Sequence, residues 1–355
     1  MQRICTTLVE AGYTVELVGR VLPQSLPLDE RPFQQTRLQC RFRKGVLFYA
    51  EYNLRLFVYL LGVSCDAVCS IDLDTLPAGC LATLLRRKKR IFDAHEYFTE
   101  VPEVSNRSFV KTIWAIVARV CLPFYRQAYT VGGALAAIFE QKYGLPFAVV
   151  RNMPLQEHRS QNTDNEIYRK NKIILYQGAL NEGRGLEALI TAMQHLDGLE
   201  LWLAGEGDRS QALRELANTL NLDTKVRFLG FVKPDALKTL TQSAWIGVNL
   251  LENKGLSYYY SLANKFFDCV QAQVPIITMD FPEYRQLNKA YEVAILLAEA
   301  NPAAITAAIL SLQTDPQHYK KLQDNAARAR LEWHWETEQA NLLACYRRLF
   351  SEPKQ

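Results

Sequence analysis

Strand-like and helix-like stretches alternate along this chain, break off at one polar segment, and then start again. In the first half the runs TVELVGR (14–20), DAVCSID (66–72), RIFDAH (90–95), AYTVG (128–132) and FAVVRN (147–152) read as strands. Helical patterns lie between them, with Ile4, Leu8 and Ala11 on one stripe. Such alternation is the pattern of parallel sheets joined by crossover helices. The stretch LQEHRSQNTDNEIYRKNK, 155–172, is almost free of apolar residues and reads as an interdomain linker. Beyond it the alternation resumes with IILYQG, LELWLAG, VRFLGFV, WIGVNLL and VPIIT. At 355 residues the chain exceeds one ordinary core. The expected class is therefore α/β, with two doubly wound domains in series making a cleft. The divisions are a first domain over 1–154, a linker over 155–170, a second domain over 171–330 and a C-terminal helix over 331–355. Ligands of open parallel sheets bind at the carboxyl ends of the strands, so residues just past each strand are the candidates.

Bulk properties narrow the function classes. A net charge of +4 gives little reason to expect nucleic acid as a partner. The eight cysteines are scattered. Cys65 and Cys69 form C-x3-C, but no second Cys or His cluster completes a metal site, so buried thiols in a reducing compartment are expected. Glu10 interrupts the start before an apolar signal core can form, and no run of about 18 apolar residues predicts a spanning helix. Two stretches come nearest, LRLFVYLLGV and FVKTIWAIVARVCLPFYR. The second is interrupted by Lys111, Arg119 and Arg126 and places Phe109, Ile113, Ile116, Val117 and Val120 near one stripe. Arg41, Arg43 and Lys44 precede the first among aromatics. Cationic helices with an apolar face bind anionic lipid surfaces, although packing on the first sheet would produce the same stripes.

Several strand ends carry chemistry. After IILYQG, the glycines Gly178, Gly183 and Gly185 flank a loop that holds Arg184 and opens a helix. Glycines let backbone amides approach an anion, and arginine adds a fixed bidentate cation. A plain strand-to-helix turn with a solvated arginine is the alternative. LAGEGDRS, 203–210, lacks the third glycine of a dinucleotide fingerprint and reads as a tight turn. Asp72 and Asp74 could chelate a divalent ion, but no third carboxylate is nearby, and a helix N-cap from Asp74 or Thr75 is preferred. His95 ends the strand RIFDA and could contact a sugar hydroxyl or serve as a structural histidine. In SLANKFFDCVQAQVPIIT, 261–278, Asn264, Lys265 and Asp268 sit on a short helix ahead of a β-branched, buried strand. Lys265 and Asp268 share a face, as a surface ion pair or as part of a ligand site.

The order of these motifs resembles a known family. YQGALNEGRGLEALITAM, LWLAGEGD, KVRFLGFVKPDAL and SLANKFFDCVQAQVPIIT are similar to the donor half of the retaining glycosyltransferases of family 4, which have the GT-B fold of two Rossmann-like domains. RIFDAHE and YTVGGALAAIFEQKYGLPFAVVRNMP look like the acceptor half, and HWETEQANLLACYRRLF looks like the C-terminal helix that crosses back to the first domain. The resemblance covers nearly the whole chain. It implies transfer of a sugar from a nucleoside diphosphate sugar to a hydroxyl with retention, by a hexosyltransferase-type enzyme that needs neither metal nor cofactor.

The resemblance also implies site residues. Asp268 stands seven residues before Pro275, where the family has a carboxylate, usually Glu, that binds the ribose. Lys265 and Arg184 would hold the diphosphate, with Gly178, Ser261 and Asn264 nearby, and Phe231 in FLGFV would lie near the base. His95 would contact the transferred sugar. The chain departs from the pattern in four places. Tyr260 stands where the family's first acid would lie. Gln273 replaces a common glycine, and Ala179 stands where an arginine often follows the first glycine. Met1 already looks helical where relatives begin with a strand, so either that strand is replaced or the true start lies upstream, and a form extended upstream is expected to be more stable. Implied partners are a nucleotide-sugar donor and a glycan or lipid-linked acceptor, with an anionic membrane surface as a further expected partner. The expected site of action is the cytoplasm, including its membrane face. A non-catalytic GT-B-like scaffold and a sugar-nucleotide epimerase are the competing readings.

Overall fold

The computed structural model describes residues 1–355 except 24, 26, 102, 103, 105, 106, 157–171 and 352–355. The expected linker therefore lies, from residue 157 on, outside the described residues. The chain divides into two compact units, Met1–Arg151 with Glu338–Gln355, and Asn152–Thr337.

The first unit begins with α1 (Gln2–Glu10), followed by β1 (Glu16–Arg20), β2 (Gln34–Leu38), α2 (Gly45–Gly62), β3 (Ala67–Ile71), α3 (Asp72–Leu85), β4 (Lys89–Ala94), α4 (Ser108–Cys121), β5 (Gln127–Thr130), α5 (Gly133–Tyr143) and β6 (Phe147–Val149). Its strands form two separate parallel sheets, a four-stranded β3-β4-β5-β6 and a pair β1-β2, in which Val18 faces Thr36. Helices join what the ladders do not. Phe48, Tyr52, Leu56 and Leu60 of α2 cluster with Ala78 and Ala82 of α3, and this cluster takes Val18 and Leu38 from the pair and Val68 from β3. The spacing of four along α2 puts its buried residues on one stripe.

In the second unit follow β7 (Ile173–Gln177), α6 (Leu186–Ala192), β8 (Glu200–Ala204), α7 (Ser210–Thr219), β9 (Val226–Gly230), α8 (Pro234–Ser243), β10 (Ile246–Asn249), α9 (Leu256–Tyr259), α10 (Asn264–Gln271), β11 (Ile276–Met279), α11 (Pro282–Ala290), β12 (Ala294–Leu297), α12 (Pro302–Thr314) and α13 (Pro316–Ala329). All six strands are parallel, in the order β12-β11-β10-β7-β8-β9. The strand order reverses between β10 and β7, and the loops beyond that point open a crevice. The core is apolar on both faces: Ile174, Leu201, Ile246 and Ile276 are fully buried, as continuous β-branched and leucine runs require. A last helix, α14 (Trp335–Ser351), leaves the second unit and ends in the first. In the first unit Gln339 accepts from the Thr7 hydroxyl, Lys89 Nζ donates to the Leu349 carbonyl, and Tyr13 stacks on Phe350.

Two expectations need correction. Asp74 and Thr75 do not cap α3, because that helix begins at Asp72, and the Thr75 hydroxyl donates back to the Ile71 carbonyl. β2 and β12 were not among the predicted strands, since QQTRL has no apolar alternation and AILL lies in an apolar stretch of either period. All eight cysteines are free thiols, five of them buried. Among the described residues no helix is long and apolar enough to cross a membrane, and no group of three His, Cys, Asp or Glu is placed to hold a metal ion.

Candidate active site

The second unit's site grows from the end of β7. Beyond Gln177 the backbone turns through Gly178 and reaches α6 through Gly185, which caps that helix at φ +66°. A Cβ on Gly185 would lie 2.3 Å from the Leu250 carbonyl, so the loop after β7 and the loop after β10 close on each other only with glycine there. This contact sits at the reversal of strand order. It holds Arg184 beside α9, with its guanidinium carbon 5.0 Å from the centre of the Tyr258 ring. Arg184 Nε is buried and has no hydrogen-bond partner among the described residues.

Lys265 arrives from the first turn of α10. Phe266, Phe267 and Val270 of this helix are buried, which fixes its rotation and turns Lys265 toward the β7 loop. Its ammonium lies 3.8 Å from the centre of the Tyr176 ring, and 3.4 Å from where a Cβ on Gly178 would be. Burial first, and then the charge of Arg184, push the Lys265 ammonium down to about 7, with Cys269 and Asp268 acting in the opposite sense. Two cations that disfavour each other, one in the strand-end loop and one in the first turn of α10, are poised for an anion. No side chain caps α10. The buried Tyr284 hydroxyl accepts from the Ala263 N–H at 2.9 Å and fixes the entry to the helix.

One turn further on, Asp268 Oδ2 accepts from Gln177 Nε2 at 2.7 Å, and Gln177 Oε1 accepts from the Thr241 hydroxyl at 2.7 Å. Gln177 and Thr241 are both buried, so the carboxylate is held from behind by a fixed chain. A carboxylate held in this way can accept from vicinal hydroxyls beside an anion site.

The structure thus brings Gly178, Arg184, Lys265 and Asp268 together. The Ser261 hydroxyl donates to the Tyr258 carbonyl at 2.8 Å, and Asn264 is exposed at the start of α10. Phe231 projects just past β9 and is 79% exposed, a large aromatic face open to a planar ligand. Sequence reasoning missed Tyr176, Gln177, Thr241, Tyr258 and Tyr284. Gln177 carried a usable signal, as a polar residue at the carboxyl end of the apolar run IILY.

His95 belongs to the first unit. Its Nε2 lies 3.1 Å from Asp93 Oδ2, and its backbone N–H donates to Asp72 Oδ1 at 2.8 Å. Burial pulls the imidazolium down, and the hydrogen bond and charge of Asp93 more than offset it, so the His95 pKa stands above its ordinary value. Burial pushes Asp72 up to about 7. The ring is thereby oriented at a strand's carboxyl end by a buried carboxylate.

Residues 158–329 match the family model described as "Glycosyl transferases group 1". This segment, just under half of the chain, is similar to the group 1 glycosyl transferases. An uncharacterized glycosyltransferase of Methanocaldococcus jannaschii is 42% identical over 76 residues, 21% of this chain and 20% of that protein. The chain spans about a fifth of the length of the curated relatives it matches. Among solved structures, sucrose-phosphate synthase from Thermosynechococcus elongatus superposes with a TM-score of 0.80 at 17% identity, covering 98% of this chain and 92% of that one. Anabaena HepE in complex with UDP and glucose gives a TM-score of 0.74 at 14% identity, covering 90% and 87%. The fold is therefore GT-B, with two Rossmann-like domains.

Proposed function

We propose that the chain is a retaining, metal-independent glycosyltransferase of the hexosyltransferase type that moves a sugar from a nucleoside diphosphate sugar to a hydroxyl of a glycan or lipid-linked acceptor. The observation that carries this reading is the convergence of Arg184 and Lys265 on the Gly178 loop at the uncapped start of α10. The bond from the sugar C1 to the diphosphate oxygen breaks, C1 bonds to the acceptor oxygen, and the acceptor proton is released. Negative charge grows on the leaving diphosphate, and two cations aimed there stabilise the transition state more than the ground state. Asp268 holds the ribose, Phe231 lies beside the base, and His95 contacts the transferred sugar. The UDP bound by HepE makes UDP-sugars the first donors to try. The test is hydrolysis or transfer from UDP-glucose and other nucleotide sugars, with the anomer of the first product read by NMR. Release of an inverted anomer overturns retention, and no turnover of any donor favours a binding protein.

The depressed Lys265 pKa gives this reading a pH signature. Diphosphate binding raises that pKa, so the bound state holds more protons than the free state from pH about 7 upward to the bound pKa. UDP affinity is then flat below this window and falls as pH rises through it. Calorimetry at about pH 8, in buffers of different ionisation enthalpy, is expected to show proton uptake approaching one per UDP, absent in Lys265→Gln. Equal uptake by both proteins excludes Lys265 as the group.

Asp268→Ala is expected to weaken uridine and UDP alike. Gln177→Ala keeps the carboxylate but removes the amide that donates to it, and is expected to weaken both by roughly fivefold, about one hydrogen bond. Unchanged uridine affinity in Asp268→Ala removes the ribose assignment.

A further inference from the structure

We propose that the outer face of α2, α3 and α4 is a docking surface for an anionic membrane. The three helices pack side by side: α2 and α3 share a core cluster, α3 packs on α4, and the Tyr49 ring of α2 meets the Trp114 ring of α4 edge-on at 5.0 Å. Each has a second apolar stripe that faces away from the core. On α2, Leu47, Leu54 and Val58 recur at intervals of seven and four, opposite the buried stripe of Phe48, Tyr52 and Leu56. On α4, Phe109, Ile116 and Val120 repeat the same intervals opposite Trp114 and Ala118, and Phe109 is 75% exposed. Leu81, 54% exposed, and Leu85, 69% exposed, continue the face on α3. A water-facing helix has no use for a leucine or phenylalanine at each of these positions, and clustered exposure of this kind marks an interaction surface.

The charge around the stripes selects the partner. Arg43 and Lys44 precede α2, Arg87 follows α3, Arg107 precedes α4, and Arg119 lies within it, all of them exposed. Against them, α4 has no carboxylate, and α2 has only Glu51. Glu51 is already engaged by the Arg41 and Phe42 N–H groups and by Arg55, and the two backbone hydrogen bonds, ahead of Arg55, hold its carboxyl down to about 2. An apolar face rimmed by cations that form no ion pair among the described residues complements anionic headgroups over acyl chains, with the helices lying in the interface plane. The diphosphate site plays no part in this surface, so the two proposals stand or fall apart.

Flotation of the full chain with vesicles of phosphatidylcholine, with and without phosphatidylglycerol, tests it. The protein is expected to float with the anionic vesicles at low salt and to be released by high salt. Arg43→Glu with Lys44→Glu should weaken partitioning by at least about fivefold per cation. Leu54→Ser with Phe109→Ser should abolish flotation while leaving UDP binding and the melting temperature unchanged, since both side chains lie outside the core. Retention in the soluble fraction with anionic vesicles at low salt overturns the proposal, as does unchanged flotation of both variants. Self-association that the serine variant abolishes, without flotation of the parent, overturns it in favour of a second copy of the chain.

Discussion

Arg184→Ala combined with Lys265→Ala is expected to weaken UDP binding by roughly a hundredfold to some ten-thousandfold, because each charge-assisted contact is worth about 1.5–3 kcal/mol. Uridine affinity should change little in the same protein. The contrast follows from geometry. Both cations sit at the Gly178 loop and the start of α10, whereas Asp268, held by Gln177, lies a turn away. The single variants have distinguishable costs. Lys265→Ala removes an ammonium that burial and Arg184 already hold near 7, so its loss is greatest below that pH, where the free protein carries the charge. Arg184→Ala removes a permanent charge and is expected to weaken UDP at every pH. It also relieves Lys265, whose pKa should rise. Calorimetry of the two singles and the double gives the coupling between them. Unchanged diphosphate affinity in the double variant would show that the anion site lies elsewhere.

His95→Ala is expected to lower turnover by about a hundredfold or more while leaving UDP affinity intact, the pattern of a contact made mainly in the transition state. A structural side effect must be separated from it. The substitution leaves Asp93, 1% exposed, without its imidazole partner, and the other carboxylate oxygen of Asp93 is buried without a hydrogen bond among the described residues. A buried, uncompensated carboxylate destabilises by several kcal/mol, so the melting temperature should fall as well. Adding Asp93→Asn removes that charge. If the double variant regains stability and stays slow, His95 acts on the substrate. If it regains both stability and turnover, the imidazole serves only to satisfy Asp93.

Much of the architecture was legible because parallel strands buried on both faces write themselves as apolar runs, as in IILYQ and VPIIT. The pair β1-β2 shows where that rule stops. Gln34–Leu38 is intermediate to exposed along its length and has no buried face to mark it, so QQTRL reads as a loop. The candidate site divides similarly. Gly178, Arg184, Lys265 and Asp268 stood out as glycines at a turn and charges in apolar company. Tyr176, Thr241 and Tyr284 did not, since their apolar bodies pack like any core residue and only folding shows where the hydroxyls point. The chain from Thr241 through Gln177 to Asp268 joins residues 91 and 64 positions apart, and no local pattern encodes it. The stripes on α2 and α4 were visible as periodicity, but which stripe is covered depends on how the helices pack.

The first unit is made of two stretches separated by the whole of the second, and this bears on how the molecule is made. While the chain emerges from the ribosome, Met1–Arg151 appears first but cannot finish its structure, because Glu338–Gln355 supplies part of it. Until α14 is synthesised, the Thr7 hydroxyl, the Lys89 ammonium and the Tyr13 ring lack the groups they meet in the finished fold. The second unit is one continuous stretch, and Trp335 N–H donating to the Pro154 carbonyl at 2.7 Å ties its ends together. It can close as soon as its last strand and helices are out. The half made later is thus complete earlier, and the half made first waits with its helix surfaces uncovered. Chains ending just short of residue 338 and released from the ribosome should therefore present a protease-resistant second unit behind a protease-sensitive first one, the reverse of the usual order of vectorial folding.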